Sequence, residues 1–165
     1  MTIAATQKLK KFMYYISKSV PVKINFSDMA RDLELSRDEL PKYLEYLEKA
    51  ELVSVLRMKA NGDAILRKMD KLYLQNSNMS YVLSGENPDT GNARETIFYC
   101  WTKQKYDTVE SPVSDFEIDG KTFEVGGRNK GKKQISNLKD AYVVKDTIEY
   151  VFDNQVPLWM FGFLY

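Results

Sequence analysis

The stretch SDFEIDGKTFEVG, residues 114–126, decides the fold of the second half of the chain. The dipeptide Asp119-Gly120 at its centre favours a two-residue hairpin turn. Apolar and polar residues alternate on both sides of this turn, which predicts strands over 114–118 and 121–125. The stretch therefore predicts a β-hairpin with acidic side chains on both strands.

The residues around this hairpin predict a small α/β domain. In chain order, the flanking elements are a short helix over 78–83, a helix over 92–105, a strand over 108–110, a short helix over 134–138, and strands over 141–144 and 158–162. From the long helix to residue 144, the order is helix, three strands, helix, strand. This order resembles the core of the restriction-endonuclease-like, or PD-(D/E)xK, fold.

The resemblance implies a metal site built from carboxylates. Such nucleases hold one or two divalent cations with a Glu of the first helix, an Asp of the second strand and the Glu of an E-x-K motif on the third. By position, Glu95, Asp115 and Glu124 match these three acids. Mg²⁺ is the implied cation because it prefers oxygen ligands. Asp115 and Glu124 are its expected ligands.

The sequence departs from the nuclease pattern at the lysine of E-x-K, where Gly126 stands. Lys121 and Arg128 are nearby cations, but neither is in register. We therefore expect a nuclease-like domain that has lost its catalysis. The alternative is an active Mg²⁺-dependent nuclease that uses Glu95, Asp115 and Glu124.

The first 75 residues predict a winged helix-turn-helix. A helix over 3–19 is followed by a short helix capped by Ser27 and by a third helix that begins with a capping box, Ser36 and Glu39. Strands over 52–56 and 66–74 then form the hairpin of the wing. In this fold the third helix can enter the major groove of DNA.

Basic and aromatic side chains of both halves are the candidate DNA contacts. The third helix exposes acids as well as bases, which weakens its attraction to phosphate, so a packing module is the alternative for the first half. The candidates are Arg37, Lys42 and Tyr46 near the third helix, Arg57, Lys59, Arg67 and Lys68 in the wing, and Lys130, Lys132 and Lys133 in a basic, glycine-rich loop.

Composition excludes several classes of enzyme. The 165 residues include no histidine and one cysteine, so neither a Cys/His zinc site nor a Ser-His-Asp triad can form within this sequence. Residues 1–75 hold 14 basic and 10 acidic residues, a net of +4, and the remainder hold 10 and 13, a net of −3. This asymmetry favours two modules, 1–75 and 76–165, in an α+β chain. We expect a cytoplasmic protein without a membrane span.

Over its whole length the sequence resembles the C-terminal portion of bacterial AAA+ ATPases, chiefly from Bacteroidetes. The stretches that carry the resemblance include KLKKFMYYISKSVP (8–21), DELPKYLEYLEKAELVSVLR (38–57), VSDFEIDGKTFEVGGRNKGKKQI (113–135) and PLWMFGFLY (157–165). In that family an N-terminal ATPase module precedes a winged helix and a nuclease-like domain of unknown function. The resemblance implies that ATP binds only to the ATPase module, which this sequence lacks, and that this module or another protein is a partner.

The aromatic tail supports a third hypothesis, a protein-interaction module that does not bind nucleic acid. Trp159, Phe161, Phe163 and Tyr165 lie close together in the sequence, and aromatic residues are enriched at the centres of interfaces. The alternative for the tail is a last strand packed in the core of its own domain.

Overall fold

The chain is α+β and divides into two compact units. A computed structural model describes residues 3–58, 71–85, 89–130 and 135–164. The first unit comprises Met1–Val55 and Met69–Pro88, and the second comprises Leu56–Lys68 and Asp89–Tyr165. The first unit thus extends beyond residue 75, where the sequence predicted its end.

The described residues of the first unit form four helices and a three-stranded sheet of order β1-β3-β2. The very short β1, which the sequence did not predict, pairs antiparallel with β3. Helix α4 packs on α1, which is why the unit includes it. The elements are α1 (Ile3–Ser19), β1 (Val22–Lys23), α2 (Phe26–Leu33), α3 (Glu39–Lys49), β2 (Val53–Leu56), β3 (Lys71–Leu74) and α4 (Asn78–Ser84).

Side-chain hydrogen bonds cap the start of α2 and hold the turn that precedes α3, whose N-cap residue is Asp38. The prediction that Ser27 caps α2 is wrong, because Asn25 Oδ1 accepts hydrogen bonds from the backbone N–H groups of Ser27 and Asp28, at 3.1 and 3.3 Å. The predicted capping box is confirmed. The Ser36 N–H donates to Glu39 Oε2 at 3.0 Å, and the Glu39 N–H donates to Ser36 Oγ at 3.2 Å.

An apolar core holds the first unit together. The periodic apolar positions of α1, α2 and α3 face one another across this core and bury the inner face of the sheet. Its buried members include Phe12, Ile16, Met29, Leu33, Leu40, Leu44, Leu47, Val53, Leu72 and Leu74.

The second unit is a five-stranded mixed sheet with a helix packed on it. The strand order is β4-β5-β6-β7-β8, with antiparallel pairing among the first three strands and parallel pairing from β6 to β8. Strand β6 is central. The elements are α5 (Thr90–Thr102), β4 (Thr108–Glu110), β5 (Phe116–Ile118), β6 (Lys121–Gly126), β7 (Ala141–Lys145), β8 (Gln155–Pro157) and a 3₁₀ helix (Leu158–Phe163).

Two predicted elements of the second unit are wrong. Residues 135–137 form a turn where the sequence predicted a helix, and 158–162 lie in the 3₁₀ helix where it predicted a strand. A short apolar run does not distinguish a strand from a buried helix by itself. Here the helical turn brings the Phe161 ring within 4.7 Å of the Phe98 ring, centre to centre. Trp159 and Phe163 of the same tail are exposed.

Candidate active site

A cleft of about 600 Å³ opens in the second unit between the first turns of α5 and the loop that follows β6. It has a charged lining, with cations and acids on facing segments. The charged residues that line it are Asp89, Arg94, Glu95, Arg128 and Lys130.

Glu124 is a buried acid beside this cleft. It lies on the central strand β6 with only 1% of its surface exposed. Ser114 Oγ donates a short hydrogen bond to Glu124 Oε2, and Lys130 Nζ lies 2.6 Å from Glu124 Oε1. Because an unpaired buried charge is costly, Lys130 and Ser114 are what allow this carboxylate to remain in the interior.

Asp115 is held next to Glu124 by the hairpin. Asp115 lies immediately before β5 rather than on the strand where the sequence predicted it. Because the first residue of β5, Phe116, pairs with Phe123, Asp115 comes opposite the next residue of β6, Glu124. The Val125 N–H donates to Asp115 Oδ2 at 2.8 Å and fixes the orientation of the carboxylate. The structure thus brings together the two acids that the sequence named as metal ligands.

Lys130 is the cation on which the acids converge. Burial disfavours the charge of Lys130, but the hydrogen bond to Glu124 and the negative charges of Asp115, Glu124 and Glu95 outweigh it and raise the pKa of Lys130. The ammonium group is therefore protonated at neutral pH. Glu95, which lies on α5, lines the same cleft as Lys130.

Gly126 explains how Lys130 reaches this position. A turn closed by a 3.0 Å hydrogen bond from the Lys130 N–H to the Gly127 carbonyl folds the chain back. The methylene groups of Lys130 then lie over Gly126, where a Cβ atom would come within 2.7 Å of Lys130 Cδ. The residue that interrupts the E-x-K motif is therefore the one that makes room for a lysine from further along the chain.

The sequence predicted that Lys130 lies in a loop that either contacts DNA or is merely solvated, and both alternatives missed its contact with Glu124. The side chain is only 36% exposed. A search in the E-x-K register cannot find it because it follows Glu124 by six residues. The available signal was the Gly126-Gly127 pair followed by a lysine at turn spacing. Of the two substitutes considered, Arg128 lines the cleft and Lys121 is exposed at the start of β6.

The other predicted DNA contacts are dispersed. Arg37, Lys42 and Tyr46 are exposed at or near α3, whereas Arg57 is exposed in the second unit rather than in the first. The remaining candidates, Lys59, Arg67, Lys68, Lys132 and Lys133, lie outside the described residues.

The second unit thus contains a cluster of carboxylates next to a lysine. A comparison with known protein families shows the family to which the chain belongs. Residues 2–90 match the family described as Domain of unknown function (DUF8612), and the chain belongs to that family. The match spans the whole of the first unit except Met1.

No curated protein and no solved structure matches the chain. The resemblance to AAA+ ATPases, with an ATPase module as partner, and the protein-interaction hypothesis stay predictions. Among the described residues, no helix has the length and apolar character needed to cross a bilayer.

Proposed function

We propose that this chain binds DNA and that its second unit is a Mg²⁺-dependent nuclease. The observation that carries the proposal is the contact of Lys130 with Glu124, beside Asp115 and Glu95. The expectation of lost catalysis rested on the glycine at 126, and an ammonium group that reaches the acids from position 130 removes that reason. The helix, three antiparallel strands and parallel fourth strand support a nuclease-like unit, whereas the turn at 135–137 departs from its order, which has a second helix there.

The donor set is compatible with Mg²⁺. Within the described parts of the chain, no three or more Asp, Glu, His or Cys residues form a cluster that could hold a metal ion. Mg²⁺ does not need such a cluster, because it is commonly bound by one or two carboxylates together with waters and substrate phosphates. Asp115 and Glu124 would hold it, and Lys130 would release Glu124 Oε1. When bound, the ion would lower the pKa of a water molecule and stabilise charge on phosphate oxygens.

The chain's own residues have distinct tasks in this proposal. Ser114 and the Val125 N–H orient the two carboxylates before any ligand arrives. Lys130, once released from Glu124, places a positive charge where negative charge develops on the phosphate. The negative charge of Glu95 is a smaller influence than Glu124 and Asp115 in raising the pKa of this lysine. Burial at the sheet end limits the water around these groups and so strengthens their electrostatic interactions.

Cleavage of labelled single-stranded and duplex DNA, with Mg²⁺ or with EDTA, tests the proposal. We expect Asp115→Asn to lower the Mg²⁺-dependent rate by at least about 100-fold, because it removes a metal ligand. Asp119→Asn is the matched control, since this exposed turn residue loses the same charge outside the cleft. Full cleavage by Asp115→Asn, or no cleavage by the wild-type protein, would reject the proposal.

Moving the lysine from position 130 to position 126 is a more direct test of the contact between Lys130 and Glu124. Lys130→Gly should abolish cleavage, and the double variant Gly126→Lys/Lys130→Gly should restore part of it by returning the lysine to the E-x-K register. The double change is needed because a Cβ at 126 collides with Lys130. If the double variant folds and metal binding is retained but cleavage stays absent, the assigned role of Lys130 is wrong.

DNA binding by the first unit is the second part of the proposal, and it is supported by two exposed cations. Arg37 and Lys42 form no ion pair with other described residues, whereas Lys49 on the same helix pairs with Glu45 at 2.6 Å. The order of three helices and the strands β2 and β3, with the short β1 between α1 and α2, also supports the winged-helix interpretation.

Fluorescence anisotropy with duplex DNA in EDTA tests this part. The double variant Arg37→Ala/Lys42→Ala should bind more weakly and reduce the slope of log affinity against log salt by about 2, roughly one per phosphate contact. Lys49→Ala should leave the slope unchanged. Equal slopes for the double variant and the wild-type protein would leave the first unit without a DNA-binding role at α3.

A further inference from the structure

A guanidinium group lies in the same cleft as the carboxylates and has no part in the chemistry above. Arg94 is on α5, and 22% of its side chain is exposed. Its Nε donates to Asp146 Oδ2 at 2.6 Å. Because Asp146 follows β7, this bond connects the helix to the sheet and fixes the direction of the arginine.

The terminal nitrogens of Arg94 lie against a glycine. A Cβ atom at Gly127 would be only 3.0 Å from Nη1 and 3.2 Å from Nη2, so the planar group rests on bare backbone. Asp146 is the one hydrogen-bond acceptor of Arg94 within residues 3–58, 71–85, 89–130 and 135–164. Guanidinium has five N–H donors, and Nε accounts for one, so the four on Nη1 and Nη2 remain for a ligand.

The shape and charge of this part of the cleft specify the class of ligand. A fixed guanidinium forms paired hydrogen bonds to phosphate more readily than an ammonium group does. Arg128 lines the same opening and adds a second positive charge. Gly126 and Gly127 line the same opening, where the methylene groups of Lys130 lie over the first glycine and the guanidinium group of Arg94 lies over the second. A phosphate group fits the charge and the paired donors of this part of the cleft.

We propose that Arg94, oriented by Asp146, binds a phosphate of the nucleic-acid strand beside the one that is cleaved. The assignment of the ligand to a nucleic-acid strand rests on the proposed nuclease function. Arg94 is a positioning residue: it holds the strand in register with the carboxylates without contacting the reacting atoms. Asp146 acts through Arg94 by keeping its terminal nitrogens directed at the cleft.

Binding of a short fluorescein-labelled single strand to the full chain, without metal and at several salt concentrations, tests this assignment. Arg94→Gln should weaken binding about tenfold and lower the salt slope by about 1. Arg94→Lys should keep the salt slope but still bind more weakly, because an ammonium group lacks the paired donors. Lys121→Gln is the matched control, since it removes one exposed charge outside the cleft.

Steady-state cleavage separates positioning from a merely structural role. Arg94→Lys and Asp146→Asn should raise KM and leave kcat within about twofold, as expected when uniform binding is lost. If Arg94→Gln fails to fold, as judged by circular dichroism, Arg94→Lys alone decides the question. Unchanged affinity and unchanged KM in Arg94→Lys would overturn the proposal.

The outcomes distinguish this subsite from the nuclease itself. Weaker binding by Arg94→Gln, together with full cleavage by Asp115→Asn, would keep the phosphate subsite and reject the proposed catalytic acids. Loss of cleavage in Asp115→Asn with wild-type binding by Arg94→Gln would do the reverse. A wild-type chain that binds no strand at low salt would reject both.

Discussion

The two units differ in where their charged side chains lie. In the first, ion pairs such as Lys49–Glu45 lie at the surface, with 71% and 57% of the two side chains exposed, and the core is apolar. In the second, Glu124 is 1% exposed, and it is the one charged side chain among the buried residues that the structure describes. The first unit is built for stability, whereas the second contains a charge that stability does not require.

A buried ion pair is weak evidence for stability, since apolar residues of similar size often serve as well. The costs of the Glu124–Lys130 pair are desolvation and a dependence on one particular turn. We infer that the pair is present for its chemistry. Substitutions that change the stability of one unit or the other test this difference between them.

The largest loss of stability is expected from a truncation in the apolar core of the second unit. Phe98 is fully buried and packs against the rings of Phe116, Phe123 and Phe161 at centroid distances of 5.0, 5.5 and 4.7 Å. Phe98→Ala should lower the free energy of unfolding of this unit by about 3–5 kcal/mol. Both tryptophans, Trp101 and Trp159, belong to the second unit, so tryptophan fluorescence in urea measures it alone.

The matched truncation in the first unit is Leu44→Ala, at a side chain that is 2% exposed. It should cost about 2–5 kcal/mol and shift the far-ultraviolet dichroism without moving the fluorescence midpoint. A loss below about 1 kcal/mol in both variants would contradict the core assignments.

The next largest effect on stability is expected at the buried ion pair of the second unit. Lys130→Met removes the cation from a buried carboxylate, and we expect it to lower the free energy of unfolding at neutral pH by about 2–4 kcal/mol, less than for a fully buried pair because Lys130 reaches solvent. Lys49→Met in the surface pair should leave the free energy of unfolding nearly unchanged, because solvent screens an exposed pair. Urea denaturation of both variants provides the comparison.

A double variant shows whether the cost comes from the unpaired charge. Glu124→Gln/Lys130→Met removes both charges and should recover most of the stability that Lys130→Met loses. If the double variant is as unstable as Lys130→Met, then loss of packing over Gly126, rather than an uncompensated charge, explains the effect.

A smaller effect is expected at the start of α3. Ser36→Ala removes the hydroxyl that accepts the Glu39 N–H and should lower the free energy of unfolding of the first unit by about 1 kcal/mol. Circular dichroism should detect the change, while the tryptophan midpoint of the second unit stays constant. A shift of the tryptophan midpoint would show that the two units do not unfold independently.

The smallest effect on stability is expected at the surface pair of Lys8 and Glu39, and it should depend on pH. The hydrogen bond from Lys8, at 2.8 Å, and then the Ser36 N–H lower the pKa of Glu39 from 4.5 to about 2. A lowered pKa contributes stability above the unfolded value, and this stability is lost as the pH falls through the folded value. Glu39→Gln should therefore lower the melting temperature slightly at pH 6 and not at pH 2. An equal difference at both pH values would contradict the assigned pKa.

Local patterns predicted the parts of the fold that depend on neighbouring residues. The bounds of α1, the capping box at Ser36 and the turn at Asp119-Gly120 follow from side-chain periodicity and turn chemistry within a few positions. The pairing of β1 with β3 could not be predicted, because two residues carry no periodicity. The form of the aromatic tail also depended on a distant partner, Phe98.

The residues of the candidate site could likewise be predicted only where local sequence patterns name them. Glu95, Asp115 and Glu124 could be named from their order along predicted elements. Lys130 could not be assigned, because its role depends on the turn after β6 and on the absence of a side chain at Gly126. Arg94 was also missed, since its partner Asp146 is distant in the sequence.

The overlap of Gly126 and Lys130 has a consequence for the history of this protein. Any side chain at 126 occupies the space of Lys130, so the two positions are epistatic: a lineage cannot gain a lysine at 126 while the methylene groups of Lys130 remain there. The change from one register to the other therefore requires the Lys130 side chain to leave its place over residue 126. Homologues should divide into two groups, with lysine at one position or at the other, and very few with both.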